Sequence, residues 1–119
     1  MMNDALVQLA ERCEAAAGPN FALEREIADA VWRAKWGKRR PKDIAPQPCT
    51  ASLDAAMTLV PEGRDWMVDN FDGPHDRRCA ASVFNAKGQG YVDYEAHAAT
   101  PALALTAAAL RALAKEPTP

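Results

Sequence analysis

The chain has 119 residues, of which 49% are hydrophobic and 25% are charged, and its formal net charge is -2. These values are typical of a single globular domain with its own core, and they exclude extensive disorder. The slightly acidic balance gives no overall attraction to nucleic acid or to anionic membranes. No apolar run approaches the roughly 20 residues of a spanning helix, and the N-terminal residues lack a secretion signal. The sequence therefore predicts a cytoplasmic protein without a membrane segment.

The N-terminal part of the chain has two helical patterns. The first spans residues 3–17, where Asn3 is suited to cap the helix and apolar residues recur at helical spacing. Gly-Pro-Asn at 18–20 ends it. The second spans residues 21–36, with Leu23, Ile27 and Val31 on its apolar face, and with Glu24 among the charged residues assigned to the rest of its surface. Residues 3–36 are thus predicted to form a helical pair.

Residues 37–49 interrupt this periodicity. They contain Gly37, Pro41, Pro46 and Pro48, which remove hydrogen-bond donors or favour non-helical backbone. We interpret the segment as a connector between the helical pair and a core at 50–115. The pair is too small to be stable alone, so residues 1–119 are predicted to form a single domain.

The core segment begins and ends with a helix. Thr50 or Ser52 is suited to cap a helix that continues to about Val60, and Thr100 with Pro101 marks the start of an alanine-rich helix that continues to Lys115. Between them, alternating patterns and turn residues predict three short strands, at 65–71, 78–84 and 91–96. Short connections imply an antiparallel meander.

The predicted element order is α-α-α-β-β-β-α, an α+β fold with a three-stranded antiparallel sheet in 64–96 and helices on both faces. We expect helices 51–60 and 101–115 on one face and the N-terminal helices on the other. The predicted core residues are Trp66, Val68, Val83, Val92, Tyr94, Leu53, Met57, Leu103 and Leu110.

Two stretches carry a resemblance to a known family. Thr-Ala-Ser-Leu-Asp-Ala-Ala-Met-Thr-Leu-Val-Pro-Glu-Gly (50–63) and Glu-Ala-His-Ala-Ala-Thr-Pro-Ala-Leu-Ala-Leu (95–105) flank a tryptophan-bearing strand. This arrangement resembles the phage α/β/α-sandwich domain family, small proteins of tailed phages and prophages. The resemblance implies a fold and a viral origin, and supplies no catalytic residues. Thr106 stands where such a protein is expected to have a cysteine.

A basic segment is the strongest local hint of a binding role. It contains Arg33, Lys35, Lys38, Arg39, Arg40 and Lys42, six of the chain's 14 lysines and arginines. Trp32 and Trp36 are spaced to share a helical face. Such a loop suits phosphate contact and base stacking, or an acidic protein surface. In the alternative interpretation, both tryptophans close the core and the charges are solvated. The candidate binding residues are Trp36, Lys38, Arg39, Arg40 and Lys42.

No pattern in the chain predicts catalysis, a cofactor or a metal. Cys13, Cys49 and Cys79 form neither a disulfide framework nor a C-x-x-C pair. Asp69 and Asp93 could face the same side of neighbouring strands, although carboxylates on strands are mostly solvated. We therefore expect an accessory protein, not an enzyme, that binds a host or phage protein, including a host defence complex. Two alternatives remain: a nucleic-acid binder using residues 32–42, and an oligomeric structural or assembly component, a homo-oligomer suggested by the small-residue faces of the last helix.

Overall fold

The computed structural model of the chain describes residues 3–73, 76–85 and 93–115. The secondary-structure elements within these ranges are α1 (Asp4–Ala15), α2 (Phe21–Trp36), α3 (Leu53–Met57), β1 (Asp65–Gly73), β2 (Asp76–Phe84), β3 (Asp93–Ala98) and α4 (Pro101–Lys115). The predicted α+β class and the α-α-α-β-β-β-α order are confirmed. The strand order is β1-β2-β3, and both strand pairs are antiparallel, as a meander requires.

Side-chain caps fix where the helices begin. The Oδ1 atom of Asn20 accepts a hydrogen bond from the backbone N–H of Leu23 at 3.0 Å, and the Thr100 hydroxyl accepts one from the N–H of Leu103 at 3.2 Å. These bonds satisfy N–H groups that a helix start otherwise leaves unpaired. Gly37 follows the last residue of α2 and caps it with a φ of 71°, a left-handed conformation that favours glycine.

The helix α3 is shorter than its sequence pattern predicts. After Met57 the backbone continues with N–H to C=O bonds three residues apart, from Leu59 to Ala56 and from Val60 to Met57. The Thr58 hydroxyl also donates to the Ala55 carbonyl at 2.6 Å. These tighter turns change the direction of the side chains. Leu59 is buried after these turns, and Met57, at the end of α3, is 38% exposed instead of lying in the core.

The sheet has one apolar face, and its register explains why. Val83 on β2 pairs with Trp66 on β1 and with Tyr94 on β3, so these three side chains lie side by side. In the next layer, Ala81 lies between Val68 and Ala96. The small alanines on this face leave room for close approach of a helix.

The helix α4 fills that room and occupies the centre of the molecule. It contacts all three strands and also α1 and α3, and all its residues from Ala102 to Leu110 are buried. α1 packs on α4 and on β3, and α2 packs on α1. The position of the N-terminal helices therefore differs from the expectation that they cover the other face of the sheet. On that other face, Met67 is 56% exposed.

Most of the predicted core is confirmed. Val83, Leu103 and Leu110 are buried, and four others pack against the core while partly buried: Leu53, Trp66, Val68 and Tyr94. Met57 is the exception explained above, and Val92 lies outside the described residues. The core also includes residues of α1 outside this prediction, and among them Leu6, Ala10 and Cys13 are fully buried.

Candidate binding groove

A groove lies between α2 and the connector that follows it. We call it the α2–connector groove and define it by its lining residues, which fall within 24–36, 40–49 and 58–59. Its volume is about 230 Å³. Ile27, Ala28 and Val31 line it from α2, and Leu59 lines it from the turn after α3. The wall is therefore largely aliphatic.

A buried polar cluster holds the end of the connector against the start of α2. Thr50 donates to Oε2 of Glu24 through both its backbone N–H, at 3.1 Å, and its hydroxyl, at 2.5 Å. The Thr50 hydroxyl oxygen also accepts from the backbone N–H of Asn20 at 2.9 Å. Glu24 is 6% exposed, so its carboxylate depends on these donors in place of water.

Sequence reasoning missed this cluster, although a signal for it exists. Glu24 was assigned to the charged surface of the second helix. It precedes Ile27 by three positions and Val31 by seven, which places it on the apolar stripe of α2. A carboxylate on such a stripe requires a buried partner. Thr50, predicted only as a helix cap, is that partner, while Ser52 caps α3 by accepting from the Ala55 N–H at 3.3 Å.

A second hydrogen bond fastens the connector to the core. The Thr106 hydroxyl on α4 donates to the Cys49 carbonyl at 2.9 Å, and both residues are buried. The residue at which a cysteine was expected therefore has a structural role here. Together with the Glu24–Thr50 bonds, this contact fixes the C-terminal end of the connector, so one wall of the groove is anchored to the scaffold.

Arg40 is a structural member of the connector, which corrects the expectation that its charge is exposed. Its Nε donates to Oδ1 of Asp29 on α2 at 2.8 Å, and its Nη1 donates to the Ile44 carbonyl. Its side chain is only 13% exposed. The guanidinium thus bridges α2 and the connector, and its charge is already paired with a carboxylate.

The remaining predicted binding residues are exposed. Trp36 lines the groove and is 61% exposed. Lys38, Arg39 and Lys42 are exposed on the connector but do not line the groove. The structure therefore brings Trp36 and Arg40 to the groove and places the three other cations on the neighbouring surface. We call Lys38, Arg39 and Lys42 the basic connector surface.

The two tryptophans of α2 have different environments. Their ring centroids are 6.0 Å apart and the ring planes are tilted by 50°. Trp32 is partly buried, whereas Trp36 is mostly exposed, so the alternative that both close the core is wrong for Trp36. The Nε1 atom of Trp32 is buried and has no hydrogen-bond partner among the residues that the structure describes. Trp32 lines the groove as well.

Two buried thiols lie near this part of the molecule. Burial, reinforced by the charge of Glu24, raises the pKa of Cys49 to about 11. Burial also raises the pKa of Cys13 to about 12. Both side chains are therefore protonated at neutral pH. A thiol is a much weaker nucleophile and metal ligand than a thiolate, so neither cysteine is activated for chemistry.

The carboxylates on the sheet do not form a cluster. Asp69 on β1 pairs with Ala80, and Asp93 on β3 pairs with Phe84. The two aspartates lie on the same face of the sheet, as expected, but their strands are separated by β2 and are not neighbours. In residues 3–73, 76–85 and 93–115, no group of three His, Cys, Asp or Glu side chains could hold a metal ion.

Two further findings concern the chain as a whole. Among the described residues, no helix has the length and apolar character needed to cross a bilayer. Comparisons with protein-family models, with curated proteins and with solved structures found no match to this chain. Its relation to the phage α/β/α-sandwich domain family therefore stays a prediction.

Proposed function

We propose that this chain binds a protein partner through the α2–connector groove and the basic connector surface. The observation that carries the proposal is Trp36, a large aromatic side chain left 61% exposed at an aliphatic groove. Tryptophan and arginine are enriched among residues that dominate binding energy at protein interfaces. Here Trp36 has Arg39 and two lysines nearby in the chain. An anchored loop presenting such residues is a common arrangement for binding.

The sequence resemblance supplies the biological setting of the proposal. We propose that the chain is a small accessory protein of a phage or prophage that acts in the cytoplasm of the host. Its partner would be a host or phage protein, including a component of a host defence complex. The protonated state of Cys13 and Cys49 supports binding over thiol catalysis. This setting rests on analogy with a family and not on the site.

Partner capture with matched variants tests the proposal. The wild-type protein, Trp36→Ala and the charge reversal Lys38→Glu/Arg39→Glu/Lys42→Glu would be immobilised and exposed to a bacterial lysate. A control, Arg25→Glu/Lys115→Glu, reverses exposed charges elsewhere. We expect a protein that is retained by the wild type and the control and lost by both site variants. Equal retention by all four proteins would contradict the proposal, provided that circular dichroism confirms that each is folded.

Nucleic-acid binding is a second candidate, favoured by the exposure of Trp36 beside the three cations of the basic connector surface. Three phosphate contacts would give a slope of about -2.7 for log K against log salt on duplex DNA. Fluorescence anisotropy with labelled oligonucleotides at several salt concentrations measures this slope. This candidate is favoured over a protein partner if the wild-type protein binds the oligonucleotide with that slope and the variant Lys38→Glu/Arg39→Glu/Lys42→Glu does not bind it.

Self-association through the last helix is not proposed. The prediction of a homo-oligomer was based on the small-residue faces of this helix. Ala104, Ala107 and Ala108 are fully buried inside the protomer, where they permit close packing of α4. These faces offer no surface to a second copy. Sedimentation velocity at increasing protein concentration tests whether another surface forms an oligomer.

A further inference from the structure

We infer that the α2–connector groove recognises an acidic segment of its partner by taking in one large apolar side chain. This inference rests on the proposed protein-binding function and specifies the chemistry of the partner. Three properties of the groove carry it: its volume, the division between its aliphatic wall and its basic surroundings, and an indole N–H without an acceptor in the described part of the chain. Each of them constrains what can occupy the site.

The volume favours a single side chain as the occupant. The volume of the groove, which is partly open to solvent, is about 230 Å³. A cavity of about 150 Å³ holds one benzene ring, whereas sites for drug-sized molecules span about 300–1,000 Å³. The groove is therefore larger than one aromatic ring needs and smaller than a typical small-molecule site. A leucine, phenylalanine or tryptophan side chain of a bound segment has the appropriate size.

The distribution of polarity determines how that segment lies. Inside, Ile27, Val31 and Leu59 offer apolar contact. Three charged residues also line the groove: Glu24, Lys35 and Arg40. Arg40 is paired with Asp29, and the buried carboxylate of Glu24 disfavours a second negative charge beside it. Outside, the charges of Lys38 and Arg39 are exposed. An apolar side chain therefore belongs inside, and acidic residues that precede or follow it belong at the basic connector surface.

The rest of the molecule reinforces this charge preference. Asp65, Asp69 and Glu95 are exposed on the outer face of the sheet. An acidic segment is repelled from that face and attracted to the connector, so electrostatics selects both the surface and the orientation of the encounter. Salt weakens this selection because the charges are exposed.

The indole N–H of Trp32 adds a specific polar contact. Its Nε1 is buried without an acceptor among the described residues, although Trp32 lines the groove. Its neighbour Trp36 is mostly exposed, so the Trp36 ring has space in which to move. A backbone carbonyl of the bound segment would accept from Nε1 once the side chains that cover this atom have moved. A nucleobase, in contrast, would stack on the exposed Trp36 ring and leave the aliphatic cavity empty.

The test uses blocked peptides of about nine residues, rich in aspartate and glutamate, with a central leucine or phenylalanine. One control peptide has a central alanine, and another has lysines in place of the acidic residues. Nuclear magnetic resonance of the indole N–H groups follows binding to the full-length protein. We expect the signals of Trp32 and Trp36 to shift and that of Trp66, on the sheet, to remain. Replacing the central residue by alanine should weaken binding about tenfold or more.

A pair of variants tests the cavity itself. Ala28→Leu fills the groove, whereas Ala22→Leu makes the same change at an exposed site on the same helix. We expect Ala28→Leu to lower the affinity for the leucine peptide about tenfold and Ala22→Leu to change this affinity less than about twofold. The indole shifts of the wild-type protein decide the question independently if Ala28→Leu fails to fold.

Several outcomes would overturn the inference. One is that the central-alanine peptide and the lysine peptide bind as tightly as the acidic peptide with a central leucine. Others are that no peptide binds, or that only the indole signal of Trp66 shifts. An oligonucleotide that shifts Trp36 and binds more tightly than every peptide would also overturn it. If capture of a partner depends on Lys38 and Arg39 while no peptide prefers the groove, the proposed function stands and only the anchor inference fails. If the peptides bind as expected but no variant affects capture, the proposed function fails instead.

Discussion

Arg40 differs from the neighbouring cations in the chain because its side chain is largely buried and paired with a carboxylate. The guanidinium bonds to Asp29 and to the Ile44 carbonyl, whereas Lys38 and Arg39 are exposed. Sequence alone places all these charges in one basic run. Their effects on stability and on binding should therefore separate when they are replaced one at a time.

We expect Arg40→Ala to lower the free energy of unfolding by about 1–2 kcal/mol, because it removes two hydrogen bonds from a charged donor, one of them to the exposed Asp29. Lys38→Ala and Arg39→Ala should stay within about 0.5 kcal/mol of the wild type. Urea unfolding followed by circular dichroism measures the difference. Equal losses for Arg40 and Arg39 would mean that the bridge to α2 contributes nothing.

Thr50 is the residue on which the Glu24 cluster depends. Thr50→Val keeps the side-chain shape and the backbone N–H but removes the hydroxyl that donates to Glu24 and accepts from Asn20. We expect a loss of about 2–3 kcal/mol, since a buried carboxylate and a backbone N–H each lose a partner. Thr50→Ser keeps the hydroxyl and should cost about 1 kcal/mol for the lost methyl group. If thermal or urea unfolding shows Thr50→Ser to be less stable than Thr50→Val, the hydrogen bonds of the cluster do not hold the connector in place.

Because of the buried thiols of Cys13 and Cys49, we expect the protein to lose stability at alkaline pH. Their pKa values rise from 9.0 to about 12 and about 11 on folding. Between pH 9 and 11 the unfolded chain therefore binds fewer protons than the native state, and the free energy of unfolding falls as pH rises. From pH 8 to 10 the two thiols should contribute a loss of roughly 2–3 kcal/mol.

The matched comparison for these thiols is Cys13→Ala/Cys49→Ala. Its free energy of unfolding should fall less between pH 8 and 10, because it lacks both thiols. Urea midpoints at each pH, in the presence of a reductant, supply the measurement. Parallel pH profiles of the two proteins would refute the assignment of this loss to the buried thiols.

At the scale of the elements, α4 determines how the layers are arranged. A helix with one apolar stripe needs one partner, whereas α4 is buried around its circumference and packs on the sheet, α1 and α3. Its small side chains allow this close packing on several sides. The alanine-rich pattern that suggested an oligomer surface in the sequence is thus the property of a central helix.

We expect Ala108→Leu to destabilise the protein by about 1–3 kcal/mol, because Ala108 is fully buried and the added atoms must displace neighbours. Ala22→Leu, at an exposed position of α2, should change the stability by less than about 0.5 kcal/mol. Differential scanning calorimetry compares the two. A melting temperature of Ala108→Leu close to that of the wild type would show that the packing around α4 accommodates a larger side chain.

For the whole molecule, local patterns were sufficient to predict elements but not their neighbours. Caps such as Asn3 and Thr100, together with the spacing of apolar residues, located most helices, and alternation predicted the faces of β1 and β3 correctly. Periodicity states which side of an element is buried without stating what buries it. The positions of α1 and α2 were therefore missed.

The candidate site could be predicted only in part for the same reason. The spacing of Trp32 and Trp36 indicates a shared face but not the depth of each ring. The charge of Arg40 is visible in the sequence, whereas its pairing depends on how the connector folds back on α2. The groove arises from that fold, so its cavity and the unpaired N–H of Trp32 could not be inferred from the chain alone.

The unequal anchoring of α2 and α4 should appear in amide hydrogen exchange. α4 contacts three strands and two helices, whereas α2 packs on α1 and on the connector. We expect the amides of α4 to exchange only on global unfolding and those of α2 to exchange through a partial opening of lower free energy. Native-state exchange at increasing denaturant separates the two, and identical opening energies would contradict the difference. A partner that fills the groove would then slow exchange in α2 but not in α4, because α2 can loosen while the rest of the molecule stays folded.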